Sequence, residues 1–285
     1  MNDTAASNAP LLFQFRPVPA PAPAREAWAE AASARLWYWD TGGEGEVILL
    51  SHPASQSALI WGYQQPAFVA AGYRVIAYSR RGHYNTQVSE GGDTDTSVDD
   101  LACVLDAAGV ERAHLVGAAA GGGVAMGFAV SHRERVRTLV LAGSIVSPDE
   151  QEWRDMYRRL GVATGFAGVG RQFLELGPSY RAANPEGTAL FAELEERSVL
   201  PGYARQALGA VVTWRSMESM DAPTLLLTGE ADLYAPPPLQ RLFRTHLPQC
   251  ELQTIAQVGH ALYWEAPERF NDSILEYVAR HSRPA

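Results

Sequence analysis

The 285-residue chain has only two cysteines, Cys103 and Cys250. They are far apart and lack zinc-type spacing, which excludes a disulfide scaffold and a cysteine-based metal centre. Each falls in a segment that reads as core-forming, where a free thiol behaves as a small hydrophobe. An excess of basic residues is also missing. Net charge is −9, which argues against a nucleic-acid surface. No apolar run approaches the length of a membrane span, so no membrane partner is expected. The N-terminus has no basic region followed by an apolar core, so no signal peptide is expected and a cytoplasmic setting follows. No internal repeat is visible. Nothing calls for a metal or an organic cofactor.

Hydrophobic residues make up 47% of the chain, enough for one large domain with an insertion. Residues 1–30 read as an Ala/Pro-rich arm. Pro17, Pro19, Pro21 and Pro23 alternate there, which favours extended chain over helix. A docking peptide is the functional alternative for this arm. From Leu36 onward strands and helices alternate. Strands are expected at Leu36–Trp39, Val47–Ser51, Arg74–Tyr78, Ala113–Val116, Thr138–Ala142, Thr224–Thr228 and Glu251–Ile255. Helices are expected at Ser57–Ala71, Thr96–Ala108, Pro237–His246 and Pro267–Arg280. Val47–Ser51 is apolar throughout, the pattern of a strand buried on both faces. Strand signals vanish from 148 to 212, where short amphipathic helices are interrupted by Gly and Pro. The expectation is an α/β fold: a mostly parallel, eight-stranded type of sheet from 31–147 and 213–285, with an inserted helical cap at 148–212. Removing that cap should leave a foldable core.

The stretch His114–Met126, HLVGAAAGGGVAM, organises the rest. A short apolar strand turns at Gly117 and restarts as a helix through Gly121, Gly122 and Gly123. Small residues two before and two after a centre fit a nucleophile elbow, where a Cβ at either flank would strike backbone. The flanks are Gly117 and Gly121, so the centre is Ala119, a methyl group where a nucleophile belongs.

Four other motifs follow in order: Ser51-His52-Pro53-Ala54 with Trp61 beyond it, Ser79-Arg80-Arg81-Gly82-His83, Leu225 to Asp232, and Val258-Gly259-His260. With the elbow they resemble the α/β-hydrolase superfamily, in the form that carries a lid insertion. Pro53 stands in place of the usual Gly, and Ser79 and Tyr84 depart from the family turn. The resemblance implies His260 as base and Asp232 as the acid that orients it, with Glu230 and Asp149 as rivals. It places the oxyanion donors at the backbone N–H groups of Ala54 and Ala120.

Trp61 and Tyr63 are candidates for the pocket wall. Trp153, Met156, Tyr157, Phe166, Phe173 and Trp214 are candidates for the lid, although plain packing accounts for each as well. Arg158, Arg159 and Arg171 could hold a substrate carboxylate. His52 reads as structural, His83 as ambiguous, and His114, His132, His246 and His281 as surface or helix-end residues.

Three readings of Ala119 remain open. It could be a Ser-to-Ala change that inactivates an esterase or lactonase acting on a small or medium-sized molecule. The enzyme could need no nucleophile, with His260 and Asp232 serving as base for a cofactor-free dioxygenase or lyase. The scaffold could bind a ligand without catalysis. Carbon–carbon cleavage of a diketone-like metabolite is the runner-up among hydrolytic reactions. The partner expected is a small-molecule substrate, and a homodimer is left open.

Overall fold

The computed structural model describes residues 13, 16–89, 95–144, 146–161, 168–202 and 205–282. Nine strands form one sheet among them: β1 (Arg25–Glu30), β2 (Ala34–Asp40), β3 (Val47–Ser51), β4 (Arg74–Tyr78), β5 (Gln87–Val88), β6 (Ala113–Ala118), β7 (Val136–Ala142), β8 (Thr224–Gly229) and β9 (Cys250–Ile255). Their order is β1-β2-β4-β3-β6-β7-β8-β9, with β5 paired to β2. Every pair from β4 through β3, β6, β7 and β8 to β9 is parallel, and β2 joins β1, β4 and β5 antiparallel.

The arm expected over 1–30 thus gives its last six residues to the sheet. Arg25–Glu30 pairs with β2 in unbroken register from Arg25↔Asp40 to Glu30↔Arg35. Sequence reasoning missed this strand because REAWAE carries three charges and one large apolar residue. Ala29 alone among the six is buried, as an edge strand allows.

All five residues of β3 are buried. Leu49 joins the core on one face, while Ile48 and Leu50 join the core on the other. This is the alternation of a strand covered on both sides, and each such Leu contributes roughly 1.5–3 kcal/mol of burial. The helices α2 (Ser97–Ala107) and α3 (Ala120–Ser131) cover the first face; α1 (Gln64–Ala70) and the helix Pro267–His281 cover the second. Thr96 caps α2 through a capping box with Asp99, which fixes the helix start. The helix expected over Ser57–Ala71 divides at Tyr63 into a 3-10 segment, Ala58–Gly62, followed by α1.

Between β7 and β8 the described residues form helices at Gln151–Leu160, Arg171–Glu175, Pro178–Ala183, Pro185–Ser198 and Trp214–Glu218, with one isolated bridge between Val199 and His83. Main-chain hydrogen bonds sew this segment to the rest: Tyr84 N–H to Ser198 O at 2.9 Å, Leu200 N–H to Gly82 O at 2.9 Å, and Ser97 N–H to Ala207 O at 2.9 Å. Cys103 and Cys250 are free and partly buried.

Candidate active site

Ala119 joins β6 to α3 with φ 49° and ψ −116°. That region is sparsely populated for a residue with a Cβ and costs about 1–3 kcal/mol. Its surroundings hold it there. The Ala119 N–H donates to Ala142 O of β7 at 2.9 Å. A Cβ at Gly117 would lie 2.5 Å from Gly122 Cα, and one at Gly121 would lie 2.1 Å from Ser51 O. Both flanks therefore require glycine. So does Gly122, where a Cβ would fall 1.8 Å from Ser144 Oγ.

His260 and Asp232 meet beside Gly143, the neighbour of the Ala142 carbonyl that binds Ala119; a Cβ at Gly143 would lie 3.2 Å from both His260 Nδ1 and Asp232 Oδ2. His260 Nδ1 lies 3.0 Å from Asp232 Oδ1 and 2.9 Å from Oδ2. The N–H groups of Tyr234 and Ala235 both donate to Asp232 Oδ1 at 2.8 Å, which fixes the carboxylate. Both side chains are buried. Burial by itself lowers the imidazole pKa, but the Asp232 charge and hydrogen bond outweigh it, so the net shift is upward. An Nδ1–H held by Asp232 leaves Nε2 as the basic nitrogen. The rivals lie elsewhere: Glu230 accepts from Gln257 N–H at 3.0 Å, and exposed Asp149 pairs with Arg154.

The His260 loop is fixed from below. Glu265 is buried and accepts N–H bonds from Gly177 and Gly259 at 3.0 Å. Burial, only partly offset by those bonds, raises its pKa to about 7. The Glu175 carboxyl is also buried and accepts from Ser55 Oγ at 2.9 Å; burial raises its pKa too. Neither carboxylate belongs to a local motif that would mark it in the sequence.

The two oxyanion candidates are positioned by backbone. Ala120 opens α3, where a first-turn N–H has no carbonyl of its own helix to bond and the helix dipole favours negative charge. Ala54 N–H belongs to the Pro53–Ala54 peptide. His52 Nδ1 lies 2.7 Å from Pro53 O, and the Arg80 N–H donates to His52 Nε2 at 2.9 Å. His52 is therefore a neutral tautomer that sets the plane of the Ala54 peptide. Its pKa falls well below 6.5 through burial first and the Arg80 charge second. His83 lies 2.9 Å from the carbonyl oxygens of both Arg81 and Ala54, so it too braces this loop.

A cavity of about 430 Å³ opens against both positions. Ala54, Ala120, Gly123 and Val124 form its floor side, while Val146, Tyr157, Leu208 and Val212 belong to the segment that leaves β7. Of the four expected wall residues only Tyr157 is there. Trp61 packs on Tyr263 and Phe270 in the core, the Tyr63 hydroxyl donates to Arg16 O, and Trp153 lies against Tyr157 and Phe243. Large aromatic rings gain more from full burial than from a wet wall.

The other lid candidates do not line it either. Met156 and Trp214 pack at the core edge, Phe173 is exposed beneath Arg181, and Phe166 lies outside the described residues. Arg158 pairs with Asp155 and Arg171 with Glu195, and Arg159 is exposed; the arginines of the wall are instead Arg80, Arg81 and Arg205.

His114 corrects a further expectation. It is fully buried in β6, 2.9 Å from Thr138 Oγ1 and 3.2 Å from Glu46. Burial lowers its pKa to about 4. His132, His246 and His281 sit just beyond or at the end of helices, as expected.

No group of His, Cys, Asp and Glu side chains able to hold a metal ion occurs among the described residues, and no helix there is long and apolar enough to cross a membrane.

The fold has solved relatives. The thermophilic esterase from Thermogutta terrifontis superposes with TM-score 0.74 at 26% identity, over 92% of this chain and 100% of that one. Est816, described as an N-acyl homoserine lactone degrading enzyme, superposes with TM-score 0.70 at 26% identity, over 88% and 100%. In sequence, a 2-hydroxy-6-oxononadienedioate/2-hydroxy-6-oxononatrienedioate hydrolase of Burkholderia vietnamiensis is 28% identical, over 88% of this chain and 93% of its own length. The model of the alpha/beta hydrolase family matches residues 47–273. With that match spanning most of the sheet and both sides of the elbow, the chain belongs to the alpha/beta hydrolase family.

Proposed function

We propose that this chain carries a hydrolase site for a small or medium-sized ester or lactone, with the nucleophile position occupied by Ala119. The observation that carries the reading is the backbone of Ala119 itself. A chain that only needed to turn there would use glycine, which meets no steric strain at positive φ. Instead a Cβ is held at φ 49°, on a turn pinned by Gly117, Gly121 and Ala142, beside a fixed His260–Asp232 pair. Strain of this kind serves to present a side chain, and here that side chain is inert.

In this reading the substrate carbonyl sits over Ala119 with its oxygen toward the Ala54 and Ala120 N–H groups. A hydroxyl at 119 would pass its proton to His260 Nε2, attack the carbonyl carbon and expel the alcohol, which His260 would reprotonate; water, giving its proton to His260, would then attack the acyl group on residue 119, release the acid and return the proton to the hydroxyl. Without it the chain binds substrate and turns it over slowly, through water activated by His260. The helical segment 148–212 acts as the cap that encloses the ligand. The esterase and lactone-degrading relatives support the substrate class.

Carbon–carbon hydrolysis of a diketone-like acid is the second reading, favoured by the Burkholderia relative at 28% identity. Both readings rest on the same base and the same oxyanion donors.

The test is a panel of esters, lactones and diketones offered to the unchanged chain and to Ala119→Ser. Ester or lactone hydrolysis should appear in the serine form and vanish again in Ala119→Ser/His260→Gln. Equal rates for the two chains on every substrate would refute the reading. Preferential turnover of the diketones would select the second reading.

A further inference from the structure

The loop that carries Ala54 is tied to the segment between β7 and β8 at three successive residues. Ser55 Oγ donates to Glu175 Oε2 at 2.9 Å, Gln56 Nε2 donates to Phe191 O at 3.4 Å, and Ser57 Oγ lies 2.9 Å from Ser198 Oγ. Of the three ties only the first ends on a titratable side chain. Ser55 and Glu175 are both buried, so water does not compete for their bond. The same Glu175 also holds the loop of the base. Its main-chain carbonyl accepts the His260 and Ala261 N–H groups. One residue thus grips both loops, the first with its side chain and the second with its backbone.

The carboxyl is coupled to the base by charge as well. Burial raises the Glu175 pKa; the His260 charge, the Ser55 bond and the Arg171 charge pull it down, and the Asp232 charge pushes it up. In return, burial lowers the His260 pKa while the charges of Asp232, Glu175 and Glu265 raise it. Three more groups complete the surroundings. Burial first and the Glu175 charge second hold Glu195, Tyr234 and Tyr263 above their ordinary ranges. Arg171 is itself paired with Glu195 at 3.1 Å.

We propose that Glu175 is a positioning residue of the site, setting the oxyanion loop and the base loop against each other through its carboxyl on Ser55 and its carbonyl on His260. This rests on the hydrolase reading for what the two loops act on, but not for the link between them. The Ala54 N–H and His260 Nε2 must address one carbonyl group together, and a misplacement of about 1 Å costs on the order of a hundredfold in rate. A neighbour of Ala54 and the base itself are held by the same residue, so their separation is fixed without passing through the sheet. The carboxyl adds charge to geometry. When ionised, it favours the imidazolium that forms as His260 takes a proton. A tie that served folding alone would carry no such signal from one loop to the other.

The experiment has two arms, both on the full chain. In the first, NMR follows the His260 imidazole of the unchanged chain through a pH titration. Glu175→Gln keeps an acceptor for Ser55 and removes the charge, so the His260 midpoint should move to lower pH. Ser55→Ala, on the other loop, should move it the same way. Losing its bond raises the Glu175 pKa, so less charge faces the imidazole at a given pH. In Ser55→Ala/Glu175→Gln the serine change should add nothing. A midpoint that either single variant leaves in place, or a serine effect that persists in the double variant, overturns the link. The second arm measures hydrolysis of 4-nitrophenyl acetate by Ala119→Ser. Adding Ser55→Ala or Glu175→Ala should each lower kcat about tenfold with KM changed by less than about twofold. Glu175→Gln should recover most of that loss, and Ser55→Ala/Glu175→Ala should lose no more than either alone. Thermal melting accompanies each variant, and Ser55→Ala, the smaller change, decides where Glu175→Ala melts early. Losses that multiply in the pair reject Glu175 as the joint and keep the hydrolase. Absence of turnover by Ala119→Ser, with the coupled NMR shifts present, rejects the hydrolase and keeps the link.

Discussion

The main-chain carbonyl of Glu175 accepts two hydrogen bonds, from the N–H groups of His260 and Ala261, each at 2.9 Å. His260 and the helical segment between β7 and β8 therefore share a backbone junction. Gly177 and Gly259 complete it: a Cβ on Gly177 would lie 2.8 Å from both Gly259 N and Glu265 Oε2. The segment is thus part of what positions His260.

Gly177→Ala should show this. Overpacking at such a junction costs about 1–3 kcal/mol of stability. Displacement of His260 should lower kcat of Ala119→Ser by more than tenfold with little change in KM. Thermal melting and steady-state kinetics on the same preparation check both parts. Deleting residues 148–212 tests how far the core depends on this junction: a foldable core should remain, with His260 displaced and the activity of Ala119→Ser lost.

Two buried groups tilt the pH dependence of stability in opposite directions. Glu265 titrates near 7 in the folded chain against 4.5 when unfolded, because burial disfavours its charge. Between those values the folded state holds more protons, so stability falls as pH rises from 4.5 to about 7. His114 titrates near 4 when folded against 6.5 when unfolded, again through burial. There the unfolded state holds more protons, so stability falls as pH drops from 6.5 toward 4. Each contributes on the order of 3 kcal/mol across its window. Denaturant unfolding between pH 4.5 and 6.5 should therefore show Glu265→Gln gaining stability with rising pH relative to the unchanged chain, and His114→Gln losing it.

The acid limb of the pH–rate profile belongs to His260. Its imidazole must be neutral to accept a proton, and the Asp232 charge, set against burial, holds its pKa above 6.5. In Ala119→Ser, kcat/KM should rise with pH through a value above 6.5. Asp232→Asn removes the charge that opposes burial, so the limb should move to lower pH while the rate drops by about 10⁴-fold. Stopped or continuous assays from pH 5 to 9 read both changes.

Much of this was legible because glycine and strand patterns carry steric information. Gly117, Gly121 and Gly259 mark places where backbone meets backbone, and that requirement is written in the residue type. Val47–Ser51 and Arg74–Tyr78 were found to the residue because continuous apolar runs have one stable use in a parallel sheet. The cavity wall was not legible. Arg80 and Arg205 are 125 positions apart and meet only through topology. Trp61 and Tyr63 looked like wall residues from their distance to the oxyanion loop, yet the 3-10 turn that carries them rotates both into the core. His114 looked exposed because nothing local announces Thr138 and Glu46 as its partners.

The central claim is that residue 119 occupies a nucleophile's position, within reach of a working base. Intact-mass spectrometry after exposure to a fluorophosphonate probe tests it without knowledge of the substrate. The account predicts one covalent adduct on Ala119→Ser, mapped to residue 119, at least about a hundredfold slower in Ala119→Ser/His260→Gln, and none at that position in the unchanged chain. An Ala119→Ser chain that folds, keeps its His260–Asp232 pair and yet takes no adduct would contradict it.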